Sequence, residues 1–395
     1  MGKDLKGREL GVGIKQRKNG SYEARYTDAY GVRRSIYTQN LKDARKILLD
    51  KQYEKSHRIC LKDEKMTLDE WFAKWITTYK KNTIKQSSLK LYRYTYEKYI
   101  SPELGKAPLS KITKISIQDL INNLNENGYS WATQDKVKRI LNDMFGRAIE
   151  DDFCIKNPVR GIRLLGDKGH YKVLTKEEQS MFFETAAGTF YENLFVVAVN
   201  TGLRPGELFA LTKHDIDFIE KVIRVRNNLV YMKYDGEETK NFHWETPKTK
   251  SSIRDVPINK ICEEYLRKQL VLKNKLKIRF PNDSEFSEVI FVSNRNNPLN
   301  SAIYDQAIHK IINERNLLLD PVEELEPFGG HTFRHTFATR CIESGVKPKT
   351  LQSYLGHATL EMTMNLYVHT MDDVKQDEIG LLNETNNNIY RFVGV

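Results

Sequence analysis

The chain is predicted to fold as a multidomain α+β protein: a small three-stranded sheet plus helix domain, then a helical bundle, then a mixed, mainly α domain. Three observations predict this. At 395 residues the chain is long enough for two or three domains. Residues 11–57 hold three short runs with strand composition and a following amphipathic helix, whereas Met66 to about Pro158 is helical in its apolar spacing throughout. The remainder mixes helical and strand patterns and gathers His, Arg and Tyr near its end.

Composition narrows the function. Hydrophobic residues at 39% and charged residues at 29% fit a globular protein. A formal net charge of +11 favours a polyanionic partner, nucleic acid before membrane. No apolar run has transmembrane length, and the opening M-G-K-D-L-K-G-R-E-L lacks the apolar centre of a signal peptide. Cys60, Cys154, Cys262 and Cys341 are far apart and read as reduced thiols of a cytoplasmic protein, not as a zinc or disulfide set.

The first domain, 1–58, takes its strands from G-V-G-I-K-Q-R, S-Y-E-A-R-Y-T-D and V-R-R-S-I-Y-T, with K-N-G and A-Y-G as turns. L-K-D-A-R-K-I-L-L-D-K-Q-Y follows as the helix. These 58 residues hold 15 Lys and Arg against 7 Asp and Glu, so most of the net charge sits here. Such a sheet fits a DNA groove, and Arg17, Arg25, Arg33 and Arg34 are the candidates for phosphate or base contact. A solvated basic face is the plainer alternative.

The second domain, 66–160, opens with Thr67 capping L-D-E-W-F-A-K-W and Glu70 closing a capping box. Four or five helices follow, with Gly105 and Gly128 in their connections. Lys85, Lys90, Arg93, Lys136 and Arg139 are candidates for a DNA backbone. The tyrosines and Trp131 are expected in the core. Residues 160–173 read as a linker to the third domain, 173–382, whose first helix has Thr175 as cap and Glu178 at its third position. A tail, 383–395, ends in the apolar I-Y-R-F-V.

Chemistry enters at N-T-G-L-R-P-G-E-L. Gly202 permits a tight turn and Pro205 suits a first helical position, so Arg204 lies beside a helix amino-terminus, where phosphate is favoured. Glu207 is placed to hold a cation or a His by hydrogen bond, or to form a surface pair with Arg204. K-V-I-R-V-R-N-N-L-V-Y and T-K-N-F-H-W-E-T read as strands, and P-K-T-K-S-S-I-R-D-V-P-I as a turn with a third strand, the turn carrying Lys248 and Lys250.

The second cluster runs from Gly329 to Tyr367. In H-T-F-R-H-T-F-A-T, His331 and Arg334 share a helix face. Gly345 ends that helix, Pro348 starts the next, Gly356 stops it, and His357 follows. Thr359 caps a short helix bearing Tyr367. Arg supplies a two-donor fork for phosphate, His moves protons near neutral pH, and a supported Tyr hydroxyl forms a covalent ester. Metal ligation by His331 and His335 is the rival reading, but no Glu follows His331 and no third ligand suggests itself; no metal is expected.

T-G-L-R-x-x-E-L, H-T-F-R-H-T-F-A-T, L-G-H and a Tyr ten residues after that His together resemble the tyrosine recombinase family, with phage and conjugative-transposon (lambda-type) integrases the nearest-looking members. The resemblance implies an arm-site DNA-binding domain, a core-binding domain and a catalytic domain. It implies a homotetramer on double-stranded core and arm attachment sites, a tail docked on a neighbouring subunit and an excision helper protein. Tyr367 is then the nucleophile that leaves a 3′-phosphotyrosine, Arg204 and Arg334 hold the nonbridging oxygens, and His331 assists proton transfer. His357 is a further donor, and Glu207 and His335 are supporting residues. Lys248 fits the family's general acid better than Lys250, which stands as the alternative. Strand exchange passes through a Holliday junction, and neither cofactor nor ATP is implied. The rival functions are a type IB topoisomerase, which relaxes DNA by the same chemistry, and a catalytically silent DNA-binding regulator.

Overall fold

The computed structural model describes residues 2–27, 32–56, 63, 65–169, 171–247, 250–317 and 324–366; of residue 250 and residues 53–56 it describes the backbone only. The chain divides into two compact units, 1–169 and 170–395.

The first unit begins with a short antiparallel pair, β1 (Gly2–Lys3) and β2 (Glu9–Gly11), an addition to the three strands expected. Its turn is made locally: the Asp4 carboxylate accepts from the backbone N–H groups of Lys6 and Arg8 at 2.8 and 2.7 Å. The expected sheet is present as β3 (Ile14–Gln16), β4 (Tyr22–Thr27) and β5 (Arg33–Thr38), antiparallel and in chain order. Helix α1 (Leu41–Ser56) covers one face, packing Ala44 and Leu48 on Ile14 and Ala24.

A helical bundle follows: α2 (Leu68–Trp75), α3 (Gln86–Thr95), the single turn α4 (Ser101–Leu104), α5 (Lys114–Glu126) and α6 (Trp131–Glu150). The Thr67–Glu70 capping box is formed. Trp71 and Trp75 are fully buried, and Phe72 stacks on Tyr96 at 3.7 Å. Burial of rings this size contributes ~1.5–3 kcal/mol each. Trp131 departs from expectation: it is half-buried at the first position of α6, with Lys168 5.8 Å above its ring, outside the bundle core. As the first residue of its helix it projects past the packed turns. Residues 160–165 run along the bundle, where Ile162 is buried and Gln134 bonds both the N–H and the carbonyl of Leu165.

The second unit starts with α7 (Lys176–Ala186), α8 (Glu192–Thr201) and the five-residue α9 (Pro205–Phe209). Strands β6 (Ile216–Asp217), β7 (Val222–Val225) and β10 (Arg254–Pro257) form one antiparallel sheet in the order β10-β7-β6. Strands β8 (Asn228–Met232) and β9 (Asn241–Glu245) form a separate hairpin. The run from Lys221 to Tyr231, read from the sequence as continuous, therefore breaks at Arg226. Its guanidinium donates to the carbonyls of Val225 and Arg254, which closes the first sheet as the chain leaves it. Helix α10 (Lys260–Arg279) fills a stretch to which no element was assigned above; its Cys262, Leu266 and Leu276 are buried. Helices α11 (Ser301–Asn316), α12 (His331–Glu343) and α13 (Pro348–Leu355), and a helical stretch over 360–366, complete the unit. Its core is aromatic: Phe333 of α12 is fully buried among Phe182, Phe195 and Phe328. Among the described residues no helix is long and apolar enough to cross a membrane.

Candidate active site

Three turns and one helix build the site. Helix α8 ends on Gly202 in the left-handed conformation, φ +61°, which a side chain disfavours. A Cβ there would also stand 2.3 Å from the Phe337 ring of α12. The chain turns sharply at this point, and Arg204 becomes the cap of α9, with Pro205 as its first residue.

Glu207, one turn into α9, is buried. Its carboxylate accepts from Arg204 Nη1 at 2.8 Å and from the Arg204 backbone N–H at 2.9 Å. It also accepts both terminal nitrogens of Arg254, at 3.1 and 2.9 Å. Burial alone would raise this carboxyl, but the hydrogen bonds and charge of Arg254, with Arg204, hold it at about 2. It is an anion fixed between two guanidinium groups, not an exposed pair.

Helix α12 buries Phe333 and Thr336 in the core and brings Arg334 to the same pocket. The Arg334 guanidinium donates to the carbonyls of Gly202 at 2.7 Å and Leu355 at 2.6 Å. Burial, then the repulsion of Arg204 and Arg254, pushes it down to about 9. The pocket thus holds an excess of positive charge in a poorly solvated place, which an anionic phosphate would relieve.

His331 lies at the start of α12 on the exposed side and makes no hydrogen bond among the described residues. Partial burial and the charges of Arg334 and Arg204 lower its pKa, so the ring is neutral and basic near pH 7. His335, one turn on, stacks on Tyr171 at 4.5 Å, and burial holds it at about 4. Gly356 ends α13 at φ +64° and passes directly to His357. His357 is buried and shares a 3.0 Å hydrogen bond between Nδ1 and Thr363 Oγ1, which directs Nε2 to the remaining side. Burial, with Arg334 and Arg204, pushes it to about 4.

Arg204, Glu207, Arg334 and His357 thus converge, with His331 beside Arg334. Tyr367 and Lys248 lie outside the described residues, and so does the side chain of Lys250. The backbone of Lys250 opens a single helical turn, Lys250–Ser252, directly before Arg254. Arg254 is the member of the site that sequence reasoning missed. A signal was present: Arg254 and Val256 alternate inward along β10 while Asp255 and Pro257 face out, so an arginine occupies a core position.

In the first unit, the strand register places Arg25 opposite Ser35 and Arg33 opposite Thr27, on the sheet face away from α1. Arg17 stacks over Tyr37, which shares that face. Arg34 pairs with Tyr26 on the other face, so the sheet does not bring it together with the other three. In the bundle, Lys90 and Arg93 lie on α3 and Lys136 and Arg139 on α6, with Lys85 the cap of α3; Arg139 is paired with Asp135. Among the described residues no group of three or more His, Cys, Asp or Glu is placed to hold a metal ion.

Comparison with known proteins divides the chain in three. Residues 1–65 match the DNA binding domain of Tn916 integrase, 67–125 the phage integrase N-terminal SAM-like domain, and 172–373 the phage integrase family. The chain is 28% identical to the transposase from transposon Tn916 of Enterococcus faecalis over 403 residues, covering 97% of this chain and 96% of the relative. It is 29% identical to the ICEBs1 integrase of Bacillus subtilis, covering 73% and 74%. Among solved structures, the Tn1549 transposon integrase in complex with transposon right end DNA superposes with a TM-score of 0.70 at 26% identity, over 80% of this chain and all of that one. A lambda integrase tetramer bound to a Holliday junction shares the fold, with a TM-score of 0.54 at 21% identity over 91% of this chain and 95% of that one.

Proposed function

The chain belongs to the phage integrase family and is a site-specific tyrosine recombinase of the conjugative-transposon type that binds DNA; from that premise we propose how its residues divide the reaction. Tyr367 attacks the scissile phosphate and forms a 3′-phosphotyrosine. Arg204 and Arg334 hold the nonbridging oxygens as negative charge builds. His331, neutral near pH 7, takes the proton of the attacking hydroxyl. His357 donates a hydrogen bond to the phosphate from Nε2. Lys248 protonates the departing 5′-oxygen, with Lys250 as the alternative. The ester conserves the phosphodiester bond energy, so the reverse attack by a partner strand rejoins DNA without ATP. Four subunits on two core sites would carry strand exchange through a Holliday junction in the cytoplasm. The sheet domain would hold arm sites, and a helper protein would set the direction of excision.

The observation that carries this reading is the convergence of two arginines and two neutral histidines around one buried carboxylate. The test is a nicked suicide duplex of attachment-site DNA taken from beside the gene. The protein should become linked to the 3′-phosphate end, and two sites should yield recombinant joints. Relaxation of supercoiled DNA with no recombinant joint would favour a topoisomerase instead.

A further inference from the structure

We propose that Arg254 is the positioning residue of the phosphate clamp: it holds Glu207, orients Arg204 through that carboxylate, and fixes the turn that delivers His357. This rests on the reading of Arg204 and His357 given above.

Arg254 is not itself free to bind phosphate. Its side chain is 5% exposed, and four of its five N–H donors are engaged within the protein. Nε donates to the Tyr354 carbonyl at 2.6 Å, Nη1 to Glu207 Oε1 and the Ser252 carbonyl at 3.1 and 3.0 Å, and Nη2 to Glu207 Oε2 at 2.9 Å. Arg204 differs. Its side chain is 33% exposed, and it gives Glu207 one edge only, through Nη1. Its other terminal nitrogen lies 3.5 Å from the Gly356 carbonyl, a weak contact. The forked grip of Arg254 therefore leaves Arg204 attached at one point and open toward a ligand.

The charge balance argues the same way. One carboxylate shared by two guanidinium groups leaves one positive charge for an incoming phosphate. Without Arg254, Glu207 would pair with Arg204 alone and cancel it. The stem of Arg254 also supports the turn. A Cβ on Gly356 would stand 3.0 Å from Arg254 Cδ, so the left-handed turn before His357 is seated directly on this side chain. A lysine cannot replace these bonds, because one ammonium does not span both carboxylate oxygens and the Tyr354 carbonyl.

The test is single-turnover cleavage of the nicked attachment-site duplex by the full chain. The scissile phosphate is supplied either as the normal diester or as a methylphosphonate, which lacks the nonbridging charge. Arg254→Lys should keep site affinity within a few-fold and cleave the diester about 100-fold more slowly, the loss expected of a misplaced reacting group. On the methylphosphonate the gap from wild type should close to less than about tenfold, because the clamp has less charge to meet. An equal loss on both substrates, or no loss on either, would overturn the proposal. So would rescue by a 5′-sulfur leaving group, since that places Arg254 on the leaving-group side.

Glu207→Gln alone and combined with Arg254→Lys supplies a second measurement, made on variants whose unfolding midpoints show them folded at the assay temperature. The double variant should lose no more than the worse single, because both act through one contact. Additive losses would count against the coupling. Wild type that forms no adduct would sink the recombinase mechanism and this proposal together, whereas wild-type cleavage beside an unimpaired Arg254→Lys sinks this proposal alone.

Discussion

Arg334 Nη1 donates to the carbonyl of Gly202 at 2.7 Å, across 132 residues of sequence. That bond ties the helix carrying His331 to the turn presenting Arg204. A second bond, to the Leu355 carbonyl, ties it to the turn before His357. One buried guanidinium thus sets the spacing of three segments. Arg334 is anchored on carbonyls at the two turns that the left-handed Gly202 and Gly356 make.

Gly202→Ala should disturb both folding and function. The substitution strains a φ of +61° and puts a Cβ 2.3 Å from the Phe337 ring. We expect a loss of ~1–3 kcal/mol in urea unfolding. Cleavage should fall more than about tenfold, because the acceptor that anchors Arg334 moves with the turn. A variant of unchanged cleavage rate would mean that this carbonyl does not position the guanidinium.

Glu207 should leave a mark on acid stability. Its carboxyl sits at about 2 in the folded protein against an ordinary 4.5: burial opposes ionisation, and Arg254 and Arg204 overcome it. A lowered folded pKa adds stability that is complete above about pH 4.5 and is lost as pH falls toward 2. The contribution is on the order of 3 kcal/mol. Glu207→Gln should therefore be less stable than the parent at pH 6, and the gap should narrow steadily below pH 4.5. Denaturant midpoints across that range decide it; a constant gap would mean that the carboxyl titrates normally.

Tyr367→Phe should abolish the covalent adduct while site binding stays within a few-fold, since only the hydroxyl is chemical. Phenol extraction of the suicide substrate reads the adduct directly. An adduct that persists would move the nucleophile to another phenol, with Tyr354 and Tyr390 the next to test.

The polar residues of the site were legible in the sequence because their types and spacing are local: Arg204 and Glu207 lie three apart, and His331 and Arg334 share one helix. The punctuation was legible too, since Gly202, Pro205, Gly356 and the Thr175–Glu178 box act through the backbone within a few residues. Arg254 was legible only as an arginine on the inward face of its strand, because the partners that explain it stand 47 and 100 residues away. The break at Arg226 was hidden for the same reason: its apolar neighbours continue the strand pattern, and only the bond to the Arg254 carbonyl ends the pairing. Facing in the first sheet was legible only in part. Alternation separates Arg33 from Arg34, but which of them looks away from α1 depends on the register with β4.

That register makes the arginines of the first domain separable by experiment. Arg17, Arg25 and Arg33 belong to the face opposite α1, and Arg34 to the covered side. Arg25 is shared with Glu23, its partner at 2.9 Å, while Arg17 lies over the Tyr37 ring. If this face holds arm-site DNA, Arg17→Ala and Arg33→Ala should each weaken arm binding and reduce the salt slope of log affinity by about 1, the signature of a lost phosphate contact. Arg34→Ala should leave the slope unchanged, and Arg25→Ala should reduce it less than Arg17→Ala or Arg33→Ala, because its guanidinium is already held by Glu23. Cleavage at an isolated core site should survive all four. Fluorescence titrations of arm duplex at several salt concentrations measure the slopes. An Arg34→Ala loss equal to that of Arg33→Ala would place the DNA at the sheet edge rather than on its open face.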